Sequence, residues 1–431
     1  MITRDPRLLE RGVTQELLKG VLAEHNRRVR ELNALRAYYD GDHAILRRAK
    51  TTGASNNRLV VNHARYIVEL TSAYLIGNPV GYVGTNQSPA LQPLLDAYRR
   101  CDVDSVDAEL AKHAAIYGRA AEMLYMDAGA RPRVAAIDPR YAFVVYDDTV
   151  AHAPLLGIHL APKVDAEGEA VGTMLTVYTA YDTLRFVLGE GWEVSGEVPH
   201  YFGGVPIIEY WNNEDERGDF ATVTTLMDAY NLLMSDRVND KEQLVDALLM
   251  ISGVTLGDTD DEFNRAVGRL RDQRILEMPA VGAAAAYLTK QLNETEMQVL
   301  ADALVRDIHK VAMVPALTDE HFAGNASGVA MRYKLLGLEQ LTKTKERWFR
   351  EGLRSRMRLF ANVLAALGYP TLDAESVQMT FSRGLPVNGL EQAQMVRLLK
   401  GLVPDEILLK QIPFVDDAGG ALKMSPGGSE M

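Results

Sequence analysis

One cysteine, Cys101, is all that the 431 residues contain, which excludes a disulfide framework and a thiolate metal cluster and fits a reducing compartment. No Gly-Lys dipeptide occurs, so a P-loop is excluded. HExxH is missing too, and no two of the nine histidines stand three or four residues apart, so no single helix offers a zinc-holding pair. No run approaches the roughly 18–20 apolar residues that a membrane span requires. The opening "MITRDPRLLERGVTQELL" lacks the apolar core of a signal peptide. A basic excess is also lacking, since the formal net charge is -12. A protein that grips duplex DNA over its whole surface neutralises phosphates with Lys and Arg. An acidic chain is still compatible with letting a polyanion slide past.

What is present describes a folded protein of more than one structural unit: 47% apolar and 24% charged residues in a chain long enough for a sizeable core. Apolar residues recur at helical spacing from Val13 to about Tyr39, ending at the turn signal Asp40-Gly41. A second helix is expected from Asn62 to Ile76, stopped by Gly77-Asn78-Pro79. "PVGYVG" reads as a short strand, and helices follow near 90–100 and 106–117. Over 119–211 the period changes to short β-branched and aromatic runs separated by Gly, Pro and Asp, an antiparallel meander. The fold class is therefore α+β.

Helical spacing returns near residue 221 and predicts one helix of about 28 residues, ~40 Å long. Its first half is apolar on one stripe, its middle "SDRVNDKEQ" is polar, and Leu244, Val245 and Leu248 resume the stripe. After it, "EFNRAVGRLRDQ" reads as a small helix and "RILEMP" as a strand, with "AAAAYLTK" pairing after it. Leu300, Leu304, Ile308 and Ala312 mark another helix from about Glu294. "VAMRYKLLGLEQLTKTKERWFREGLRSRMRLFANVLAAL" is helix-compatible for almost its whole length, with Gly337 and Gly352 as candidate bends. "VQMTFSRGLPVN" is a returning strand, "GLEQAQMVRLLKGL" and "DEILLKQI" are short helices, and 413–431 reads as a disordered tail.

No catalytic constellation emerges. Asp258, Asp260 and Glu262 resemble an EF-hand start, but Phe263 stands where the loop needs Gly. The same three acids support the runner-up function, a metal-dependent nuclease or other enzyme, for which no basic phosphate grip is identifiable. "NNEDERGDF" reads as an exposed turn. His63 and His309, inside helices, read as packed core or interface histidines, and Cys101 as a small buried residue. The seven basic and three acidic residues between Arg27 and Lys50 read as a solvated helix face. Trp348, Phe349, Met357 and Phe360 read as core or subunit contacts. No cofactor is expected. The least explained stretch is "HKVAMVPALTDEHFAGNASGVAMRYK", a polar, glycine-containing loop between two of the best helices.

Three blocks, "NNRLVVNHARYIVELTSAYLIGNPVGYVG", "GGVPIIEYWNNEDERGDFATVTTLMDAYNLLMSDRVND" and "MVPALTDEHFAGNASGVAMRYKLLGLEQ", resemble the portal proteins of tailed double-stranded DNA bacteriophages, in the branch typified by siphophages of Gram-positive hosts. The resemblance runs from about Tyr38 to Asn388. It implies the portal fold: a wing over 1–220, a stem helix over 221–250, a clip over 251–292, a second stem helix over 293–312, a tunnel loop over 313–328, a long helix and strand returning to the wing over 329–388, and a crown over 389–412 shorter than many in the family. It implies a dodecameric ring at the capsid vertex of the virion, made in the host cytoplasm, without catalytic activity. Its partners would be the double-stranded DNA in its channel, the terminase large subunit, a head-completion or adaptor protein, and the major capsid and scaffolding proteins, with no membrane. The tunnel loop would carry Thr318, Asp319, Glu320, His321, Phe322, Ala323, Gly324, Asn325, Ala326 and Ser327 at the axial channel, where small side chains let many copies crowd. Asn325 or Ser327 would cap the long helix that follows. Asp236, Arg237, Asn239, Asp240 and Lys241 would be the stem residues nearest the channel. Asp258, Asp260, Asp261, Arg265 and Arg269 would be the clip residues for docking.

Overall fold

The computed structural model describes residues 1–50, 55–84, 89–188, 192–245, 248–252, 257, 259–273, 282–288, 294–317, 333–383, 389–404 and 408. The chain divides into two compact units. The larger comprises Met1–Glu24, Leu70–Arg217 and Met313–Met431, the smaller His25–Glu69 and Gly218–Ala312.

In the larger unit, β1 (Ile2–Arg4), β5 (Ala142–Asp147), β6 (Pro154–Val164), β7 (Ala170–Tyr178), β8 (Asp182–Leu188) and β9 (Trp192–Pro199) form one sheet in that order. β1 runs parallel to β5 and the rest are antiparallel neighbours. Two periods meet on its covered face. Alternate strand residues Phe143 and Val145, Leu156 and Ile158, and Leu175 and Val177 share a core with Leu18, Val21 and Leu22, which lie one turn apart on α1 (Gln15–Asp40). The meander expected over 119–211 holds for β5 to β9, which pair in sequence order, whereas the strands at Arg119–Met126, Pro132–Ile137 and Ile207–Trp211 leave it for a second sheet. The parallel edge strand Ile2–Arg4 is an addition to it, because three residues carry too short a pattern to read.

A second core in the same unit joins α3 (Leu91–Cys101), α4 (Val103–Tyr117), the sheet β10-β3-β4 (Ile207–Trp211, Arg119–Met126, Pro132–Ile137), the pair β2–β13 (Gly81–Gly84, Val377–Thr380) and α8 (Leu336–Ala366). Among the described residues the long helix is interrupted once, with Tyr333 and Lys334 helical before the break. Its 31 residues begin after a turn at Leu335, an N-cap position without a side-chain cap bond, and the expected cap residues Asn325 and Ser327 lie outside the described residues. Gly352 is a close-packing site. A Cβ there would stand 2.4 Å from the Tyr210 ring, so β10 approaches α8 where only hydrogen fits. Within this core Arg356, fully buried on α8, lies 2.6 Å from both Asp107 on α4 and Glu122 on β3.

In the smaller unit α5 (Thr224–Val245) packs on α7 (Glu294–Val311), and β11 (Leu248–Ser252) pairs antiparallel with β12 (Ala284–Leu288), with α6 (Asp260–Gln273) between them in sequence. The helix expected to reach residue 248 ends at Val245. Leu248 opens a strand instead, because "LLMIS" finds a five-residue partner in "AAAYL". Helix and strand patterns overlap in so short an apolar run. "RILEMP", expected to pair with the alanine-rich strand, lies outside the described residues, as do most of "DEILLKQI" and the tail. Among the described residues the other α-helices are α2 (His63–Ile76), as expected, and α9 (Gly389–Leu399).

Candidate functional site

The polar middle of α5 is occupied from two sides. On one, Arg237 reaches Glu294 of α7 at 3.0 Å and Gln298 at 2.8 Å, and Lys241 reaches the same Glu294 at 3.2 Å. Hydrogen bonds from Lys241, then Arg237, hold the Glu294 carboxyl below its usual range. These contacts lie at the surface, where an ion pair fastens a helix pair only weakly. On the other side, Asp236 takes Arg48 at 2.8 Å and Lys50 at 3.1 Å. Burial alone would raise the Asp236 carboxyl, but the bonds from Arg48, Lys50 and Asn239 together bring it below its usual value.

Asn239, 1% exposed, accepts the Asn57 main-chain N–H at 2.7 Å. Ser235 and Asn231, one and two turns earlier, accept from Leu59 and Val61. Of the five expected channel residues, Asp236 and Asn239 therefore hold the segment before α2, Arg237 and Lys241 hold α7, and Asp240 is partly exposed. The polar stretch in an otherwise greased helix is explained by this: it receives the main-chain N–H groups of Asn57, Leu59 and Val61. The spacing Asn231, Ser235, Asn239 was the available signal. Nothing local in the sequence names its partner, 182 residues away at Asn57.

Asp260 and Asp261 occupy the first turn of α6, where the helix dipole favours acid, and Arg265 and Arg269 follow one and two turns on. Among the described residues these four form no ion pair, and no residue from 260 to 269 is buried. Asp258 lies outside the described residues, as do Thr318 to Ser327, the residues expected to line the channel in the tunnel loop. Among the described residues no three His, Cys, Asp or Glu side chains converge as a metal site, and no helix is long and apolar enough to cross a membrane.

His63 and His309, unrelated in sequence, meet edge to face at 5.5 Å, flanked by Tyr230 at 5.2 Å from His63 and Tyr66 at 5.4 Å from His309. Burial, then the neighbouring His309 and His43, lower the His63 ring to about 4. The unfolded chain binds this proton near pH 6.5. The resulting stability is present above pH 6.5 and is lost as pH falls toward 4. Because the ring is only partly buried, the expected loss is about 1–2 kcal/mol, short of the full linkage limit. Urea unfolding at pH 7 and 5 should show this decline, and His63→Gln should flatten it. Equal slopes in the two proteins would reject the assignment.

Residues 18–423 match the family described as "Phage portal protein, SPP1 Gp6-like", and the chain belongs to that family. The class is structural and not enzymatic. The chain is 28% identical over 229 residues to the portal protein of Clostridium phage phiCD119, an alignment covering 53% of this chain and 49% of that one, so it spans about half the length of that relative. It is 24% identical over 440 residues to the portal protein of Bacillus phage SPP1, covering 95% and 83%. A chain from the neck of an empty gene transfer agent particle overlays with a TM-score of 0.47 at 13% identity, covering 82% of this chain and 90% of that one.

Proposed function

We propose that this chain forms the portal ring at one capsid vertex, the passage through which double-stranded DNA is packaged and later ejected. The observation that carries the reading is the family match, which spans residues 18–423. In this reading 1–220 and 329–388 form the wing, 221–250 and 293–312 the stem, 251–292 the clip, 313–328 the tunnel loop and 389–412 the crown. The clip docks the terminase motor and then the head-completion protein, and α6, with no buried residue from 260 to 269, is suited to offer Asp260, Asp261, Arg265 and Arg269 to them. The acidic balance of the chain suits a conduit, since a channel that bound phosphates tightly would stall translocation.

Negative-stain electron microscopy of the purified protein should show rings of subunits around an open axial hole. A compact, closed small oligomer would reject the portal reading. Replacing His321–Ser327 with bulky side chains should leave ring assembly intact while DNA-filled heads fall to background in a packaging assay. Normal filling by such mutants would remove the tunnel loop from these residues.

A further inference from the structure

His43 and Asn231 are both fully buried in the smaller unit, and each side-chain nitrogen and oxygen of the two has a partner. Val61 donates its main-chain N–H to Asn231 Oδ1 at 2.9 Å, Asn231 Nδ2 donates to His43 Nδ1 at 2.9 Å, and His43 Nε2 lies 3.0 Å from the Tyr38 carbonyl oxygen. The direction of these bonds is dictated from both ends. A main-chain N–H can only donate, so the Asn231 amide oxygen faces Val61 and its NH2 group faces the ring. A carbonyl can only accept, so the ring proton sits on Nε2 and the Nδ1 lone pair faces Asn231. Val61 and Tyr38 thus require the same tautomer independently.

That order holds only for a neutral imidazole. A second ring proton enters at Nδ1 and sets an N–H against the Asn231 NH2 group, donor against donor. Turning the Asn231 amide over restores an acceptor to the ring but presents NH2 to the Val61 N–H. Either way one bond of the chain is lost, and at 0% exposure of both side chains solvent does not replace it. Ser235 and Asn239, which hold Leu59 and Asn57, carry no titrating group. Val61 adjoins Asn62, which accepts the Arg65 N–H in the first turn of α2 at 2.9 Å and donates to the Tyr39 carbonyl at 2.9 Å. The bond at stake therefore ties the start of α2 to α5.

We propose that His43 and Asn231 form an acid-sensitive latch, in which proton uptake by His43 frees Val61, and with it the start of α2, from α5. The groups around the ring are Tyr38 of α1, with its ring centre 4.7 Å away and its hydroxyl donating to Asp228 of α5 at 2.6 Å, the Asp42–Arg47 pair on its own turn, and His63 of α2. The two carboxylates favour a charged ring, whereas Arg47 and a charged His63 oppose it. Burial, then His309 and His43, lower His63 to about 4, so it is largely uncharged at pH 5.

Amide-resolved hydrogen exchange on the full chain, corrected for the intrinsic rate at each pH, tests the latch. Between pH 7 and pH 5 the protection of the Val61 amide should fall roughly tenfold, the worth of one hydrogen bond, while Leu59 and Asn57 keep theirs. Asn231→Asp supplies a carboxylate that accepts from Val61 and from a doubly protonated ring alike. In that variant Val61 should be protected at pH 5 as well as at pH 7. His43→Asn, which puts a neutral acceptor in the place of Nδ1, should also remove the fall, and it serves if the buried acid of the first variant prevents folding. Equal protection of Val61 at the two pH values in the unaltered protein overturns the proposal. So does a fall that Leu59 and Asn57 share, which is general loosening, or one that persists in either folded variant.

Discussion

Arg356→Ala should destabilise the larger unit by about 3–5 kcal/mol, the usual cost of stranding a buried charge. Arg356 is fully buried, within 2.6 Å of an oxygen of Asp107 and one of Glu122, which are themselves 2% and 0% exposed. Both carboxylates lie within reach of the buried guanidinium, and its charge, then its hydrogen bond, pull the Asp107 carboxyl down against the burial that raises it. Tyr210 donates its hydroxyl to the second Glu122 oxygen at 2.5 Å, and the Tyr98 and Tyr210 rings lie 5.9 and 5.8 Å from the guanidinium. Two carboxylates share one cation, and burial pushes Asp107 up to about 6. Because that value lies above the unfolded one, ionising Asp107 costs stability as pH rises through about 6. Removing the arginine leaves both acids without their cation. Adding Asp107→Asn and Glu122→Gln to Arg356→Ala should therefore recover most of the loss, a non-additivity that a mutant cycle in urea reads directly. A single-mutant loss under about 1 kcal/mol would show that the cluster behaves as a solvated pair.

The legible parts of the fold were those in which a local period decided the outcome. The 3.6 period of Leu18, Val21 and Leu22 and the period of two in Phe143, Val145, Leu156 and Ile158 are each readable alone, and they meet in one core. What could not be read depended on partners far along the chain. Arg356 looks like one more solvated arginine on a helix rich in them, and only the fold brings Asp107 and Glu122 to it. Leu248 continues a helical stripe as well as it begins a strand, and the choice falls to Ala284–Leu288 across the pair. The candidate site follows the same rule. The position of Arg237 and Lys241 on a long helix was evident, whereas their shared anchor Glu294 was not. "NNRLVVN" carries no mark of a segment held by a helix, although Asn231, Ser235 and Asn239 at four-residue spacing left half of that contact visible. His63 and His309 stand in packed surroundings, as their places inside helices predict, but their meeting depends on α2 and α7 coming together.

Gly118→Ala should cost the larger unit more than about 3 kcal/mol, above what backbone conformation alone requires. Gly118 closes α4 in the left-handed region, at φ 82°. For an L residue that conformation costs roughly 1–2 kcal/mol. The rest is steric: a Cβ there would stand 2.0 Å from the Glu216 carbonyl oxygen and 2.7 Å from the Arg217 nitrogen. The turn it strikes has little freedom to give way. Asn212 and Asn213 both donate to the Arg217 carbonyl, the Asn212 N–H bonds the Gly118 carbonyl at 3.0 Å, and the Glu216 carboxylate takes both Arg119 and the Met1 ammonium. Gly168 supplies the control. It has nearly the same backbone angle, φ 88°, in the β6–β7 turn, and a Cβ there would meet nothing within 4 Å. Gly168→Ala should therefore show the conformational part alone, about 1–2 kcal/mol. Measured side by side in urea, a clear excess for Gly118→Ala assigns the difference to the Glu216 turn. Equal losses would mean that the turn yields and that the glycine is needed for its φ angle only.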